Sequence, residues 1–166
     1  MDDLASRLRR LEDRADISEV VIRYCLTVDR KDWTAFGQCF TDTVLTGYQG
    51  GKPTGSTSRA ELVGVIAEAL DGFDLTQHLS TNHVITFDAD DPDRAVCTSA
   101  MYAQHQLVGS PNGEDYLLRA IYTNHLRRTD RGWRIEGIWT ERRWEDGNLT
   151  AVQEAVQRTR SERAAS

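Results

Sequence analysis

The sequence predicts one α+β domain in which helices come first and a curved sheet follows. Three observations carry this reading. Apolar residues of the first third recur at helical spacing. The second half alternates apolar and polar residues over long runs joined by short Asp, Pro, Asn and Gly turns. The length, 166 residues, suits one domain with one sizeable core. We read residues 1–166 as a single domain, with 148–166 as a C-terminal helix or arm. Helices followed by consecutive strands define the α+β class.

Taken in order, Leu4, Leu8, Leu11 and Ala15 begin an apolar stripe that Ile17, Val20, Val21, Tyr24 and Val28 continue. Asp16 with Glu19 resembles a capping box, so the spacing predicts a main helix over residues 16–28, restarted at Asp16. Asp32 is placed to cap a short second helix over 33–40. A short strand is expected over 44–48, and Gly50, Gly51, Pro53 and Gly55 predict a loop. Ser58 with Glu61 forms a second capping box, opening a helix that runs to Leu70 and ends at Asp71-Gly72. Strands are expected over 81–87, 94–108, 115–128 and 133–144, with turns over 88–93, 109–113 and 130–132. Consecutive long strands with short turns predict an antiparallel, strongly curved sheet. Residues 149–160 form a last amphipathic segment.

Composition narrows the function classes. Twenty Lys and Arg against 26 Asp and Glu leave a net charge of −6, which argues against nucleic acid and anionic membranes as partners. No apolar run approaches the roughly 20 residues of a membrane span, and the acidic Met1-Asp2-Asp3 start is unlike a secretory signal. Cys25, Cys39 and Cys97 are widely spaced with no C-x-x-C pair, as expected for small buried thiols in a reducing cytoplasm. There is no G-x-G-x-x-G, P-loop or G-x-S-x-G. Only Lys31 and Lys52 are available for imine chemistry, and neither sits in an apolar setting. His78, His83 and His105 are metal-ligand types without a tight ligand signature, so neither metal nor cofactor is expected.

The strand over 94–108 is the most informative. Period-2 alternation places Ala95, Cys97, Ser99, Met101, Ala103, His105 and Leu107 on one small, largely apolar face. Such a face either lines a cavity or packs tightly on a helix. A neutral histidine buried there needs a hydrogen-bond partner. Trp33, Phe36, Met101 and Trp139 are core candidates that could also line a pocket. Asn82 reads as a hydrogen-bonding residue, and His83 as a strand residue packed with Ile85 and Phe87.

Three segments stand together: Tyr24 to Trp33 with Asp29 and Asp32, Thr76-Gln-His78-Leu-Ser-Thr-Asn82-His83, and Tyr122-Thr followed by Gly132-Trp133-Arg134-Ile135. In this order and spacing they resemble the SnoaL-like branch of the nuclear transport factor 2-like superfamily, over about Leu4 to Gly147. That superfamily includes polyketide cyclases, scytalone dehydratase, bile acid dehydratase, hexachlorocyclohexane dehydrochlorinase and ketosteroid isomerase. The resemblance implies a cone-shaped, curved mixed or antiparallel sheet packed against N-terminal helices around an apolar pocket.

It also implies roles. Asp29 matches an acidic residue that pairs with a histidine, and His78 matches that histidine. Tyr24 matches a pocket tyrosine, and His105 a second pocket histidine. Trp33, Phe36, Met101, Asn82 and Trp139 would contact substrate. An Asp–His pair suits proton abstraction from carbon, because the carboxylate fixes the imidazole tautomer and stabilises the imidazolium. The implied activity is a cofactor-independent lyase (dehydratase), or a cyclase or isomerase, on a small hydrophobic cyclic or polyketide-like metabolite. One departure stands out: Ile138 occupies the place of an arginine in the dehydrochlorinase and bile acid dehydratase, and Arg119 on the neighbouring strand is a candidate substitute. The same fold also occurs in the small subunit of aromatic-ring dioxygenases, which implies an alternative as a non-catalytic ligand-binding or assembly subunit. In either role a homodimer or homotrimer is expected.

Overall fold

The structure, a computed structural model, describes residues 3–49 and 52–165, the side chains of 48 and 49 excepted. Helix α1 (Leu4–Asp29) is followed by α2 (Trp33–Gly37), strands β1 (Phe40–Gln49) and β2 (Lys52–Ser58), and helix α3 (Arg59–Leu70). Then come β3 (Leu75–Phe87), β4 (Arg94–Gln106), β5 (Asp115–Thr129), β6 (Gly132–Gly147) and helix α4 (Ala151–Ala165). The strands form one sheet in the order β2-β1-β6-β5-β4-β3. All neighbours are antiparallel except β1 and β6, which run parallel, so the sheet is mixed.

Several expectations change. The helix does not restart at Asp16: α1 is continuous from an Asp3 cap. Its buried stripe, from Asp13 through Ile17, Val20, Val21, Tyr24 and Val28, gains more from one uninterrupted packing face than a new cap would supply. Helix α2 is shorter than 33–40, although Asp32 caps it, its Oδ1 accepting from the Ala35 N–H at 2.9 Å. Pro53 and Gly55 lie in strand β2, not a loop; an edge strand tolerates both because their outer backbone groups need no ladder partner. Gly50 and Gly51 lie outside the described residues. The Ser58–Glu61 capping box forms as expected. Strand β3 starts six residues before the expected Thr81, which puts His78 on a strand, and the C-terminal segment is a helix.

Register shifts bend the sheet and set its faces. Between Thr81 and Val84, β3 carries an extra residue against β4, and Asn82 takes φ 57° there. Beyond this bulge the inward parity changes, so His78 and Ser80 share the inner face with His83 and Ile85 rather than alternating with them. Strand β6 has two such shifts against β5, near Glu136 and Arg143. The main core lies between this inner face and α1 and α2: Val21, Phe36, Phe40, Val44, Cys97, Trp133 and Ile135 are fully buried. A second cluster, Phe73, Leu107, Tyr116, Ala151 and Ala155, seats α4 over the end of the sheet.

The ends of α1 are anchored by polar contacts. At one end Asp13 accepts from Trp133 Nε1 at 3.0 Å and from Arg128 Nη2 at 2.6 Å, while the Arg128 guanidinium lies 4.5 Å above the Trp133 ring. Burial alone would raise the Asp13 pKa, but these hydrogen bonds and the Arg128 charge hold it below the usual carboxylate value. At the other end Lys31, with φ 54°, donates to the carbonyls of Asp71 and Phe73, tying the chain after α1 to the end of α3.

Candidate functional site

The last residue of α1 carries the site. Asp29 Oδ1 lies 2.7 Å from His78 Nδ1 and accepts from Thr76 Oγ1 at 3.0 Å, and Asp29 Oδ2 accepts from the His78 backbone N–H at 2.8 Å. An ionised carboxylate only accepts, so Nδ1 carries the ring proton and the tautomer is set. His78 Nε2, which makes no hydrogen bond to a described residue, is left as the basic nitrogen. The His78 side chain is 7% exposed and Asp29 19%. Three donors converging on one carboxylate fix the imidazole in place, as a general base requires.

His105 reaches the same place from β4. Its ring stands edge-on to His78, centroids 5.2 Å apart, and lies between Phe73 at 4.9 Å and Tyr116 at 5.3 Å. Its Nδ1 is buried without a hydrogen-bond partner among the described residues. Burial and the neighbouring His78 push its pKa down to about 4, against partial opposition from the Tyr116 backbone and Asp29. His105 is therefore neutral at pH 7. It can donate a hydrogen bond to a developing oxyanion, but it is not the protonated acid that a leaving hydroxyl would need.

Tyr24 lies deeper. Its ring packs against Phe36, Phe40 and Tyr122, with centroids 5.3, 6.0 and 5.9 Å away. Burial pushes its pKa up to about 12, with the Tyr122 hydroxyl partly offsetting this, and Tyr122 is raised well above its ordinary value. The small face of β4 is thus matched by aromatic rings from α1, α2, β1 and β5. Cys25 and Cys97 are pushed up to about 12 and about 11 by burial, so they are inert thiols.

The structure brings together Asp29, His78 and His105, while Tyr24 is packed among the aromatic rings of the core. Phe36 and Met101 are buried in the same core, and Trp33 packs on Phe36 while its Nε1 donates to Asp71. Asn82 and Trp139 do not join them. Asn82 is exposed at the bulge. Trp139 pairs with Thr123 on the opposite sheet face. Arg119 does not replace the absent arginine either: it points to that opposite face, its guanidinium held between the Tyr102 and Trp144 rings at 4.9 and 4.8 Å. Ile138 is on the inner face beside Asn124, as an apolar residue packed on the core.

Sequence reasoning missed several contributors. Thr76 precedes His78 by two residues on the same strand face, a signal hidden by the late start assigned to β3. Tyr116 and Glu145, hydrogen-bonded to each other, were invisible because their pairing depends on the β6 register shifts. His83 does face inward with Ile85, but its ring bridges Ser18 Oγ at 2.7 Å and Ser80 Oγ at 3.0 Å. No group of three or more His, Cys, Asp or Glu side chains among the described residues is arranged to hold a metal ion.

Comparisons with known proteins agree with this architecture. The SnoaL-like domain family matches residues 9–138. No curated protein matches the chain. Among solved structures, the Kfla4162 protein of Kribbella flavida is 25% identical, with TM-score 0.76, covering 87% of this chain and 99% of that one. A type 2 hexachlorocyclohexane dehydrochlorinase (LinA) is 21% identical, with TM-score 0.68, covering 86% and 93%. An NTF2-like protein with a cystatin-like fold from Novosphingobium aromaticivorans is 23% identical, with TM-score 0.66, covering 94% and 97%. The family match over most of its length shows that this chain belongs to the SnoaL-like family, and its curved, unclosed sheet behind a long N-terminal helix is shared with the similar solved structures.

Proposed function

We propose that the protein is a cofactor-independent lyase of the dehydratase type, or a cyclase or isomerase, acting on a small hydrophobic cyclic metabolite. The observation that carries this reading is the 2.7 Å contact between Asp29 Oδ1 and His78 Nδ1, which leaves Nε2 as a positioned base. His78 removes a proton from a carbon next to a carbonyl or a leaving group, and its imidazolium returns that proton to the departing hydroxyl, which leaves as water, or to another carbon of the product. Asp29 stabilises the imidazolium that forms, an effect enlarged by the low polarity of the aromatic core. His105 Nδ1, without a partner among the described residues, offers the substrate a second polar atom beside His78. The LinA neighbour is named as a dehydrochlorinase, a proton-abstracting chemistry of the same kind.

The natural substrate is not required for the test. Incubation with 1-tetralone and related cyclic ketones in D2O should give enzyme-dependent deuterium incorporation at the carbon next to the carbonyl. His78→Ala should abolish it while the chain remains folded, by circular dichroism, at the assay temperature. Undiminished exchange in that variant refutes the assignment. A non-catalytic binding subunit would bind ketones without exchanging them.

Two further readings accompany this one. We place the protein in the reducing cytoplasm, supported by three buried free thiols. We also propose a homodimer or homotrimer that covers the outer sheet face, where Leu79 and Trp144 are 45% and 57% exposed. Light scattering should then give a mass of two or three chains. Among the described residues no helix is long and apolar enough to cross a membrane.

A further inference from the structure

The leucines that open α1 lie off its packing face. Leu4, Leu8, Leu11, Ala15 and Ile22 fall within an arc of about 60° on the helix, roughly 150° around from the arc of Ile17, Val20, Val21, Tyr24 and Val28 that is buried against the sheet. Every residue from Asp3 to Glu12 is exposed, so the first turns of α1 stand clear of the sheet. Arg10 reaches back, its guanidinium 5.0 Å above the Phe87 ring. Leu4, Leu8 and Leu11 are 74%, 53% and 65% exposed, and Ile22 is 43% exposed. A continuous exposed stripe of large apolar side chains marks an interaction surface.

The residues beside the stripe say what fits it. The spacing assigns Leu4 and Leu11 to d positions of a heptad, and Leu8, Ala15 and Ile22 to a positions. Arg7 and Arg14 then occupy g positions, and Glu12 and Glu19 occupy e positions, all four exposed. Arg14 Nη1 donates to the Ile85 carbonyl at 3.0 Å, whereas Arg7, Glu12 and Glu19 form no ion pair with a described residue. Two such helices running parallel and in register set each g residue beside the next e residue of the other copy, so Arg7 meets Glu12 and Arg14 meets Glu19. Running antiparallel they set g against g and e against e, which is Arg against Arg and Glu against Glu. The stripe is therefore complementary to itself in one orientation and repulsive in the other. Because it looks away from the sheet, the two domains lie on opposite sides of the helix pair, and the two-fold contact closes at two copies.

We propose that α1 pairs with α1 of a second copy of this chain, parallel and in register, through Leu4, Leu8, Leu11 and Ala15, with Arg7 of each copy paired to Glu12 of the other. This contact is separate from the outer sheet face, and it depends neither on that face nor on the dyad. A lipid surface is a poorer occupant, since Glu12 and Glu19 along one flank and a net charge of −6 oppose anionic headgroups. A contact of about two heptads is small, so it is a weak one that forms at high protein concentration and joins copies beyond those held by the sheet face.

Disulfide cross-linking of the full chain tests this. Cys25, Cys39 and Cys97 are buried, so an introduced surface thiol is read without competition. Under mild copper-phenanthroline oxidation, with folding checked by circular dichroism, Leu11→Cys should give a two-chain band on denaturing electrophoresis. It should form roughly tenfold faster than in Arg9→Cys, whose side chain lies about 130° around the helix from the stripe. Within Leu11→Cys, adding Arg7→Glu or Glu12→Arg should slow the reaction, and an equimolar mixture of those two variants should recover it. Adding Leu79→Glu, which disturbs the outer sheet face, should leave the rate unchanged. Cross-linking in Leu11→Cys no faster than in Arg9→Cys, or charge variants without effect, overturns the proposal. So does a mixture of Leu4→Cys and Leu11→Cys that reacts faster than Leu11→Cys by itself, the mark of an antiparallel pair. Loss of the band on adding Leu79→Glu also overturns it, assigning the contact to the sheet face. Sedimentation of the chain with phosphatidylglycerol vesicles, abolished by Leu8→Glu, would make the occupant a lipid surface and overturn it too.

Discussion

Replacing Asp29 by Asn changes one atom and reverses its hydrogen-bonding sense. Asp29 now accepts from the Thr76 hydroxyl, the His78 backbone N–H and His78 Nδ1–H. An amide keeps one acceptor oxygen and turns the other into a donor, which must then face a donor. Hydrogen bonds to a charged group contribute about 1.5–3 kcal/mol each, and an unpaired buried donor costs about 1–3 kcal/mol. Water reaches Asp29 in part, so we expect a net loss of about 2–4 kcal/mol rather than the full sum. For a chain of this length each kcal/mol shifts Tm by roughly 2–4 °C. Asp29→Asn should therefore melt about 5–15 °C lower by calorimetry. The larger effect is on the base. An amide N–H facing Nδ1 favours the wrong tautomer, moving the ring proton to Nε2, and loss of the carboxylate from an Asp–His pair costs about 10⁴-fold in rate. Deuterium exchange into 1-tetralone should fall on that scale at 25 °C. A variant with an unchanged Tm and exchange within threefold of wild type would refute the geometric argument.

Three other perturbations follow from the structure. His105 is held neutral, with its pKa lowered to about 4, so the unfolded chain takes up its proton first as pH falls below about 6.5. Its contribution is intact above pH 6.5 and declines toward pH 4, by an amount on the order of 3 kcal/mol. Urea midpoints of His105→Phe should then change less than wild type between pH 7 and 4.5, while His83 and His125, also shifted down by burial, keep a smaller dependence in both. Asp13→Ala should cost about 3–5 kcal/mol by leaving Arg128 and the Trp133 N–H short of their shared acceptor. Because the folded Asp13 pKa is depressed, its ion-pair stabilisation is present above about pH 4 and lost as pH falls through the folded value, so acid unfolding of Asp13→Asn should be flatter there. Gly72→Ala would set a Cβ 2.1 Å from the Ala155 carbonyl oxygen, a backbone atom that cannot swing aside. It should cost about 1–3 kcal/mol and reduce hydrogen-exchange protection selectively in α4.

Much of the site could be read in the chain because its parts are periodic or adjacent. The inner face of β4 follows from alternation alone, and His105, Met101 and Ala103 lie buried on it as the pattern requires. Asp29 falls at the end of a helix whose stripe is plain, and its pairing with His78 came from the resemblance of two short segments. The rest depended on geometry that short windows do not contain. Thr76 was lost because a strand start is weakly signalled in a polar stretch. Asn82, expected to contact substrate, is turned outward by the bulge. Arg119 looked like a substitute cation, but strand parity sends it to the other face.

The sequence by itself determined the α+β class, the β4 face and the residue types needed for proton abstraction, since these follow from local periodicity and side-chain chemistry. Tertiary structure alone decided which of those residues meet. Each extra residue in β3 or β6 reverses the side-chain direction beyond it, so whether Glu145 and His83 face the dyad is a property of register, set by the packing of the whole sheet against α1 and α4.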